Sequence, residues 1–278
     1  MTPTTRTTNS TSRRSCAERG VAPVPTVIQE APLGLDASGW FTGRDLEAPE
    51  RPFAAGGNLS HHRPHRPADL ASDRAHVARR TGTDPSTWHL MQQVHGAEVA
   101  TVRSSTPIGA QLRGVDALVT TEPDRPLLVQ IADCVPILLA ADGAVGAVHA
   151  GRRGVVRGVV DAALAALERL GVTADQVRAA IGPAIGGCCY ELPHEERDRS
   201  LDALPDEVAT AATATTDWGS PSLDLAAAAA AQLTAAGATV VGRVDACTRC
   251  DPDARWFSHR ADPDAGRQVG LVLRRADP

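Results

Sequence analysis

Apolar residues along this chain fall into short continuous runs and into longer stretches with helical spacing. Runs at 127–131 and 137–140, read as one strand bent around Asp133, Cys134 and Pro136, and a further run at 144–149 are typical of buried strands. Helical spacing predicts helices over 67–80, 155–170 and 223–236, and Gly171 supplies a left-handed cap to the second of these. A polar helical region is predicted near 191–202, and further strands at 40–42, 87–94, 118–120, 177–181, 240–244, 256–258 and 269–273. This mixture predicts an α+β fold with mixed sheets.

The first part of the chain differs from the rest. Residues 1–35 are rich in Thr, Ser, Arg and Pro and have few periodic apolar positions, so a disordered N-terminal extension is predicted there. Residues 36–278 are predicted to form a single catalytic domain, because a chain of 278 residues is close to the size at which one core stops growing.

Composition narrows the possible partners to small molecules. The formal net charge of -5 is mild and the apolar fraction of 42% is ordinary, which gives no electrostatic case for binding nucleic acid or a membrane surface. No apolar run is long enough for a membrane span and no secretory signal is evident, so a cytoplasmic location is expected. Six irregularly spaced cysteines favour reduced thiols over a disulfide framework.

Three short segments each place a strong metal ligand beside small or turn-forming residues: Gln93-Val94-His95-Gly96, Ala132-Asp133-Cys134-Val135-Pro136 and Val148-His149-Ala150-Gly151. Both histidines are predicted at strand ends, where side chains can reach a cleft without disturbing the core. Two imidazoles and one thiolate suit tetrahedral zinc with its fourth position open, which is the arrangement of catalytic zinc. His95, Cys134 and His149 are therefore the candidate metal ligands and catalytic residues.

Other segments are candidates for a substrate pocket. Arg152 and Arg153 lie between two glycines at a predicted helix start, where phosphate could bind or where both could simply be solvated. The loop 182–187 permits close backbone approach but matches no dinucleotide fingerprint. Cys247-Thr248-Arg249-Cys250 has zinc-ribbon spacing, yet no second such pair exists, and the adjacent Cys188 and Cys189 are not expected to substitute for it.

The ordered motifs resemble those of the YfiH family, also called polyphenol oxidoreductase laccases or peptidoglycan editing factors. The resemblance covers about 41–273 and includes the three metal-ligand segments above. It continues with His149-Ala150-Gly151-x-Arg153-Gly154, Ile181-Gly182-Pro183-x-Ile185-Gly186, Cys189-Tyr190-Glu191, Asp224-Leu225, Cys247-Thr248, Phe257-Ser258-x-Arg260 and Gly266-Arg267. Gly57-Asn58-Leu59-Ser60 and Arg74 also resemble the N-terminal half of the family.

The resemblance implies a four-layer α/β/β/α sandwich with zinc at the positions of His95, Cys134 and His149. It also implies phosphorolysis of adenosine, inosine, guanosine or methylthioadenosine, together with deamination of adenosine. Candidate substrate-binding residues are Arg153, Asp133, Asn58 and Arg260, with Arg153 positioning phosphate. Asp133 is the nearest carboxylate for proton transfer or for support of the metal ligands. The chain departs from the family at Arg152, where tryptophan is usual, and adds Cys250 and a histidine-rich loop over 60–65.

Three alternatives remain open at this stage. Two histidines and a cysteine also suit copper, so a polyphenol oxidase is possible in principle, although Met91 is poorly placed as an axial ligand. The second alternative is a hydrolase that edits peptidoglycan precursors, with Cys134 as nucleophile. The third is a partner-binding module in which the metal is only structural, completed by a fourth ligand such as Asp133 or His61. The expected assembly is a monomer or a homodimer.

Overall fold

The computed structural model describes residues 26–46 and 56–276. Its fourteen described strands are β1 Thr26–Ala31, β2 Ala37–Asp45, β3 Leu90–Gln92, β4 Val99–Thr101, β5 Gln111–Arg113, β6 Ala117–Thr120, β7 Leu127–Ile131, β8 Val135–Ala141, β9 Ala144–Ala150, β10 Arg178–Ile181, β11 Thr213–Thr215, β12 Pro221–Leu223, β13 Thr239–Arg243 and β14 Gln268–Arg274. The α-helices of the same residues are α1 Pro67–Thr81, α2 Arg152–Val156, α3 Val159–Glu168, α4 His194–Asp202, α5 Asp206–Ala212 and α6 Leu225–Ala235.

Two large sheets organise these elements. One has four strands in the order β1-β2-β14-β7, and all of its neighbours run antiparallel. The other has six strands in the order β13-β10-β8-β9-β6-β4, in which the two outer pairs are parallel and the inner strands antiparallel. The mixed α+β fold expected from the sequence is therefore confirmed.

Alternating side chains of the central strands define the three largest clusters of the core. Leu138 of β8 and Val129 of β7 belong to a cluster formed between the two sheets. Ile137 and Leu139, on the opposite face of β8, pack with the apolar faces of α3 and α6. Residues of α1, among them Val77, pack with β7 and β14 on the outer face of the smaller sheet. These clusters are consistent with an α/β/β/α order of layers.

The runs 127–131 and 137–140 do not form one bent strand, as the sequence suggested. β7 pairs with β14 in the smaller sheet, whereas β8 pairs with β9 and β10 in the larger one. Residues 132–134 carry the chain from one sheet to the other, and Asp133 adopts a left-handed conformation with φ of 89°. The polar residues between the two apolar runs therefore occupy a crossover at the edge of the sandwich.

The helix predicted over 155–170 is two helices. Gly158, with φ of 77°, separates α2 from α3 in a conformation that glycine adopts at no steric cost. α2 begins three residues earlier than predicted, so that Arg152 and Arg153 form its first turn instead of preceding it. The predicted left-handed residue Gly171 is found, with φ of 94°.

The N-terminal boundary also differs from the prediction. Residues 26–31 form β1, which pairs with β2, and Leu33 is fully buried between the sheets, so this part of the predicted extension belongs to the domain. Residues 1–25 lie outside the described residues.

Other elements also differ from the sequence prediction. The strand predicted at 256–258 is not formed, and β1, β4, β5, β11, β12 and α5 had no counterpart in the sequence prediction. None of the described helices is long and apolar enough to cross a membrane.

Candidate metal centre and pocket

Cys134 owes its position to the crossover between the two sheets. It directly precedes β8 and packs, partly buried, against the cluster between the sheets. The thiol therefore lies where the chain passes from one sheet to the other, next to the apolar residues between the sheets. The crossover thus brings a strong metal ligand to one end of the sandwich.

His149 lies near the C-terminal end of β9. The alternation of strand side chains places it on the same face as Val145 and Ala147, which belong to the inter-sheet cluster. Only 3% of its surface is exposed. The sequence prediction of a strand-end histidine facing a cleft agrees with this placement.

His95 lies in a turn, whereas His149 lies in a strand. The predicted strand 87–94 is only β3, and His95 lies three residues beyond its end with φ of 59°, a left-handed value. The side chain of Gln93 ties this segment to β7, because its amide donates to the Gln130 carbonyl at 2.8 Å and accepts from the Gln130 N–H at 2.9 Å. His95 is therefore held by a turn and not by a strand, contrary to the prediction.

Asp116, which the sequence reasoning missed, holds both histidines. Its carboxylate is fully buried and accepts backbone N–H groups from Val94 at 3.2 Å, His95 at 2.9 Å and Gly96 at 2.7 Å. It also accepts from Nδ1 of His149 at 2.7 Å. These hydrogen bonds lower the pKa of Asp116 although burial alone would raise it. The only sequence signal for Asp116 was its place as an acidic residue immediately before a short apolar strand.

The three ligand atoms are arranged as a metal requires. His95, Cys134 and His149 offer donors that all lie within 4.8 Å of one another. The Sγ of Cys134 is 3.7 Å from Nε2 of His95, close to the separation of about 3.6 Å for a thiolate and an imidazole on one tetrahedral zinc. Because a carboxylate can only accept, Nδ1 of His149 carries a proton and Nε2 is left for the metal. The donor set therefore fits a thiophilic divalent ion.

In the absence of a metal, Cys134 and His149 stabilise each other's charged forms. Burial opposes ionisation of Cys134, yet the neighbouring His149 and His95 outweigh it and lower the pKa of the thiol to about 6. Burial likewise disfavours the charged form of His149, but Cys134 and Asp116 raise its pKa to about 9. Both pKa shifts favour a thiolate beside an imidazolium, so binding of a cation to the two groups is expected to displace a proton from His149.

Gly151 leaves room for the ligands. A Cβ at this position would lie 2.7 Å from Cδ2 of His95 and 3.1 Å from Sγ of Cys134. We expect Gly151→Ala to shift these side chains and to weaken metal binding by at least about tenfold. Competition with a chromogenic chelator measures the affinity. Gly96→Ala is the matched control, because a Cβ there meets no atom closer than 3.4 Å. Equal affinities in both variants would contradict the prediction.

The three ligands open onto a cavity of about 720 Å³. That volume is within the usual range for small-molecule sites, about 300–1,000 Å³. The described residues that line it include five arginines and a single carboxylate, that of Asp133: Arg63, Arg152, Arg153, Arg260 and Arg267. Tyr190, the only tyrosine of the chain, also lines it. The cavity therefore favours an anionic ligand that has a flat apolar part.

Two of the predicted substrate-binding residues, Asn58 and Asp133, form hydrogen bonds that hold the loops around the cavity. Asn58 is 3% exposed and is not among the residues lining the cavity; its Oδ1 accepts the N–H groups of Ser60 and Arg267. Asp133 does line the cavity, but Thr248 donates to its Oδ1 at 2.6 Å and the Arg260 N–H to its Oδ2 at 2.7 Å. Asn58 thus ties two loops together, and Asp133 fixes the segment that carries Arg260.

The arginines differ in how firmly they are held. Arg260 donates to the Glu191 carbonyl at 3.0 Å and lies over the ring of Tyr190, 5.1 Å from its centroid. Arg152 forms an ion pair with Glu196 and donates to Ser200 at 3.0 Å, both on α4. Arg153 is exposed, and no hydrogen bond or ion pair to another described residue engages its guanidinium. Arg153 is therefore available to a ligand.

The chain is similar to proteins of a known family. The family model described as "Multi-copper polyphenol oxidoreductase laccase" matches residues 38–275. A purine nucleoside phosphorylase of Streptomyces griseus is 40% identical over 208 residues, which are 74% of this chain and 82% of that protein. A purine nucleoside phosphorylase of Streptomyces coelicolor is 42% identical over 209 residues, 74% of this chain and 83% of the relative.

Solved structures share the fold. The crystal structure of YlmD from Geobacillus stearothermophilus has a TM-score of 0.78 at 32% identity and covers 88% of this chain and 94% of its own. The structure of the Bacillus licheniformis protein YfiH has a TM-score of 0.76 at 27% identity, over 86% of this chain and 93% of its own. The fold described above is therefore shared with these proteins.

Proposed function

Because the chain belongs to the polyphenol oxidoreductase laccase family, also called the YfiH family, and its relatives are named purine nucleoside phosphorylases, we propose that it is a zinc-dependent purine nucleoside phosphorylase. Adenosine, inosine, guanosine and methylthioadenosine are the proposed substrates, and deamination of adenosine is a second reaction of the same site. The observation that carries the proposal is a two-histidine, one-cysteine centre at the base of an arginine-lined cavity.

His95, Cys134 and His149 would hold the zinc. When bound, zinc supplies a Lewis acid that stabilises negative charge and activates water in the cavity. Asp116 keeps the proton of His149 on Nδ1 and fixes the turn that carries His95, so both rings are oriented before the ion binds. A site preorganised in this way loses little free energy to rearrangement during the reaction.

Phosphorolysis requires an anion beside the sugar carbon C1′. An oxygen of phosphate forms a bond to C1′ while the bond from C1′ to the purine N9 breaks, and the base leaves with the electron pair. Arg153 is the arginine of the cavity with no partner among the described residues, so its guanidinium can donate two charge-assisted hydrogen bonds to phosphate. The four other arginines, although each has protein partners, add positive potential that favours phosphate over neutral solutes.

Tyr190 gives the cavity an aromatic surface suited to a purine. Its ring is positioned by Arg260, which lies over it and donates to the backbone of the next residue, Glu191. A rigid ring held in this way can stack on a base at a small cost in side-chain entropy. The tyrosine and the arginines together provide separate surfaces for the base and for phosphate.

A panel of nucleosides, assayed with and without phosphate, tests the proposal. We expect free base to appear only when phosphate is present, and ammonia to be released from adenosine whether phosphate is present or not. Analysis of free base, ribose 1-phosphate and ammonia separates the two reactions. Absence of base release from every nucleoside by protein loaded with zinc would contradict the proposal.

Arg153→Ala should separate the two reactions. Loss of a charge-assisted hydrogen bond costs about 1.5–3 kcal/mol, so we expect the KM for phosphate to rise by about tenfold to a hundredfold. Deamination of adenosine uses no phosphate and should keep its rate within about twofold. Steady-state kinetics of both reactions on one preparation measure the difference.

The control for this variant is Arg157→Ala. Arg157 is an exposed arginine at the end of α2 that lines a neighbouring cavity but not the main one. It should change neither reaction. Equal losses of phosphorolysis and deamination in Arg153→Ala would show that Arg153 supports the structure of α2 and does not bind phosphate.

Copper-dependent oxidation of polyphenols is the second candidate, because the description of the family model names it. The donor set of the site is compatible with copper. A multicopper oxidase needs further histidine-rich sites, whereas the only other candidate metal group of 26–46 and 56–276 consists of cysteines. Oxygen uptake with a phenolic substrate, measured on protein loaded with copper and on protein loaded with zinc, distinguishes this function from phosphorolysis.

A further inference from the structure

Four cysteines come together next to the loop that carries Tyr190. Sulfur atoms of Cys188, Cys189, Cys247 and Cys250 all lie within 4.8 Å of one another. The Sγ atoms of Cys188 and Cys250 are 3.7 Å apart, so no disulfide joins them. Two sulfurs bound to one tetrahedral zinc at about 2.3 Å are separated by about 3.8 Å. The observed spacing is that of a tetrathiolate metal site.

The backbone explains how two adjacent cysteines share one centre. A tight turn begins at Gly186, whose carbonyl accepts the N–H groups of Cys189 at 2.9 Å and Tyr190 at 3.0 Å. A Cβ on Gly186 would lie 3.1 Å from Sγ of Cys188, so glycine permits this close approach. The sequence expectation that Cys188 and Cys189 could not complete the Cys247 and Cys250 pair is therefore wrong about their placement.

The cluster also has the surroundings of a metal site. The N–H of Gly186 donates to Sγ of Cys247 at 3.3 Å, a hydrogen bond that stabilises negative charge on sulfur. Cys189 and Cys247 are buried, whereas Cys188 and Cys250 are partly exposed. Cys188 and Cys247 line a cavity of about 280 Å³, which gives an ion a path from solvent.

We propose that Cys188, Cys189, Cys247 and Cys250 bind a second, structural zinc ion as four thiolates. This ion is separate from the one proposed at His95, Cys134 and His149. Four protein sulfurs leave no open position, which is the arrangement of structural zinc and excludes a catalytic role for the ion itself. Cys250 lies outside the motifs on which the resemblance rests.

The ion would fasten together two loops that form part of the pocket wall. Ala184 and Cys247 form a parallel bridge, and the Thr248 N–H donates to the Ala184 carbonyl at 3.0 Å. Thr248 in turn holds Asp133, while Cys189 is followed directly by Tyr190. A metal on the four cysteines would therefore stabilise the loops that place Tyr190 and Asp133, without touching the substrate.

Metal analysis of variants tests this proposal independently of the enzymatic one. Protein purified under reductant from zinc-supplemented cells should contain two zinc ions per chain by elemental analysis. Cys134→Ala should retain one, Cys250→Ser should retain one, and the double variant should retain none. Cys16→Ser, at a cysteine outside the described residues, should retain both.

A second readout does not depend on the metal acquired in the cell. Zinc added to metal-free Cys134→Ala protein should raise its Tm, because an ion that binds only the folded state stabilises it. The double variant Cys134→Ala with Cys250→Ser should show no such rise. Cobalt in the Cys134→Ala protein should give the intense sulfur-to-metal absorption of a tetrathiolate site.

Three results would overturn the proposal. One is equal zinc content in Cys134→Ala and in the double variant, with equal Tm values when zinc is added. Another is an intact mass that is two hydrogens lower before reduction in fully folded protein, which would show a disulfide among the four cysteines. The third is iron with acid-labile sulfide in stoichiometric amounts, which would identify an iron–sulfur cluster instead of a single ion. None of these results depends on whether nucleosides are cleaved.

Discussion

His95→Ala, Cys134→Ala and His149→Ala should each remove one zinc per chain and lower kcat/KM for phosphorolysis by more than about a hundredfold. Loss of a group that only orients a metal ligand already costs about ten- to a hundredfold in affinity or activity, and loss of the ligand itself must cost more. The three donors are within 4.8 Å of one another, so two remaining side chains would leave the ion weakly held. Elemental analysis and steady-state kinetics on the same preparations measure both effects.

His62→Ala is the control for these variants. His62 lines the same cavity, but its ring contacts Gln111 at 2.9 Å and it is not one of the three clustered ligands. It should keep its metal and most of its activity. Full zinc content in all three ligand variants, measured on folded protein, would show that the site does not bind zinc.

The grouping of the three proposed metal ligands could be predicted from the sequence, because each of them lies in a recognisable local pattern. His149 ends an apolar strand, and strand alternation alone fixes the face on which it lies. Cys134 interrupts two apolar runs, which marks a change of direction even though the sequence did not show that the runs join different sheets. His95 was found by its motif, whereas its left-handed conformation depends on contacts with Asp116.

Groupings that depend on distant parts of the chain could not be predicted. Cys188 and Cys250 are 62 residues apart, and their loops come together through the bridge between Ala184 and Cys247 and the hydrogen bonds beside it. The strand β1 belongs to the domain because it pairs with β2, although its composition gave no signal that outweighed the polar segment before it. Tertiary pairing decides such cases, and local composition does not.

Asp116→Asn should be nearly as damaging as loss of a metal ligand. Oδ1 accepts from His95 N–H and from Nδ1 of His149, while Oδ2 accepts from the N–H groups of Val94 and Gly96. An asparagine has only one acceptor oxygen, so its amide NH₂ must face N–H donors in either orientation. We expect zinc affinity to fall by about ten- to a hundredfold and the free energy of unfolding to fall by about 1–3 kcal/mol.

The matched control for Asp116→Asn is Asp73→Asn, since Asp73 is also buried but lies on α1, outside the cavity. Chemical denaturation measures stability in both proteins, and chelator competition measures zinc affinity. Asp73→Asn is expected to leave zinc affinity unchanged whatever it does to stability. If Asp116→Asn bound zinc as tightly as the parent protein, its hydrogen bonds would support only the fold, and the orientation of His95 and His149 would have to arise from packing alone.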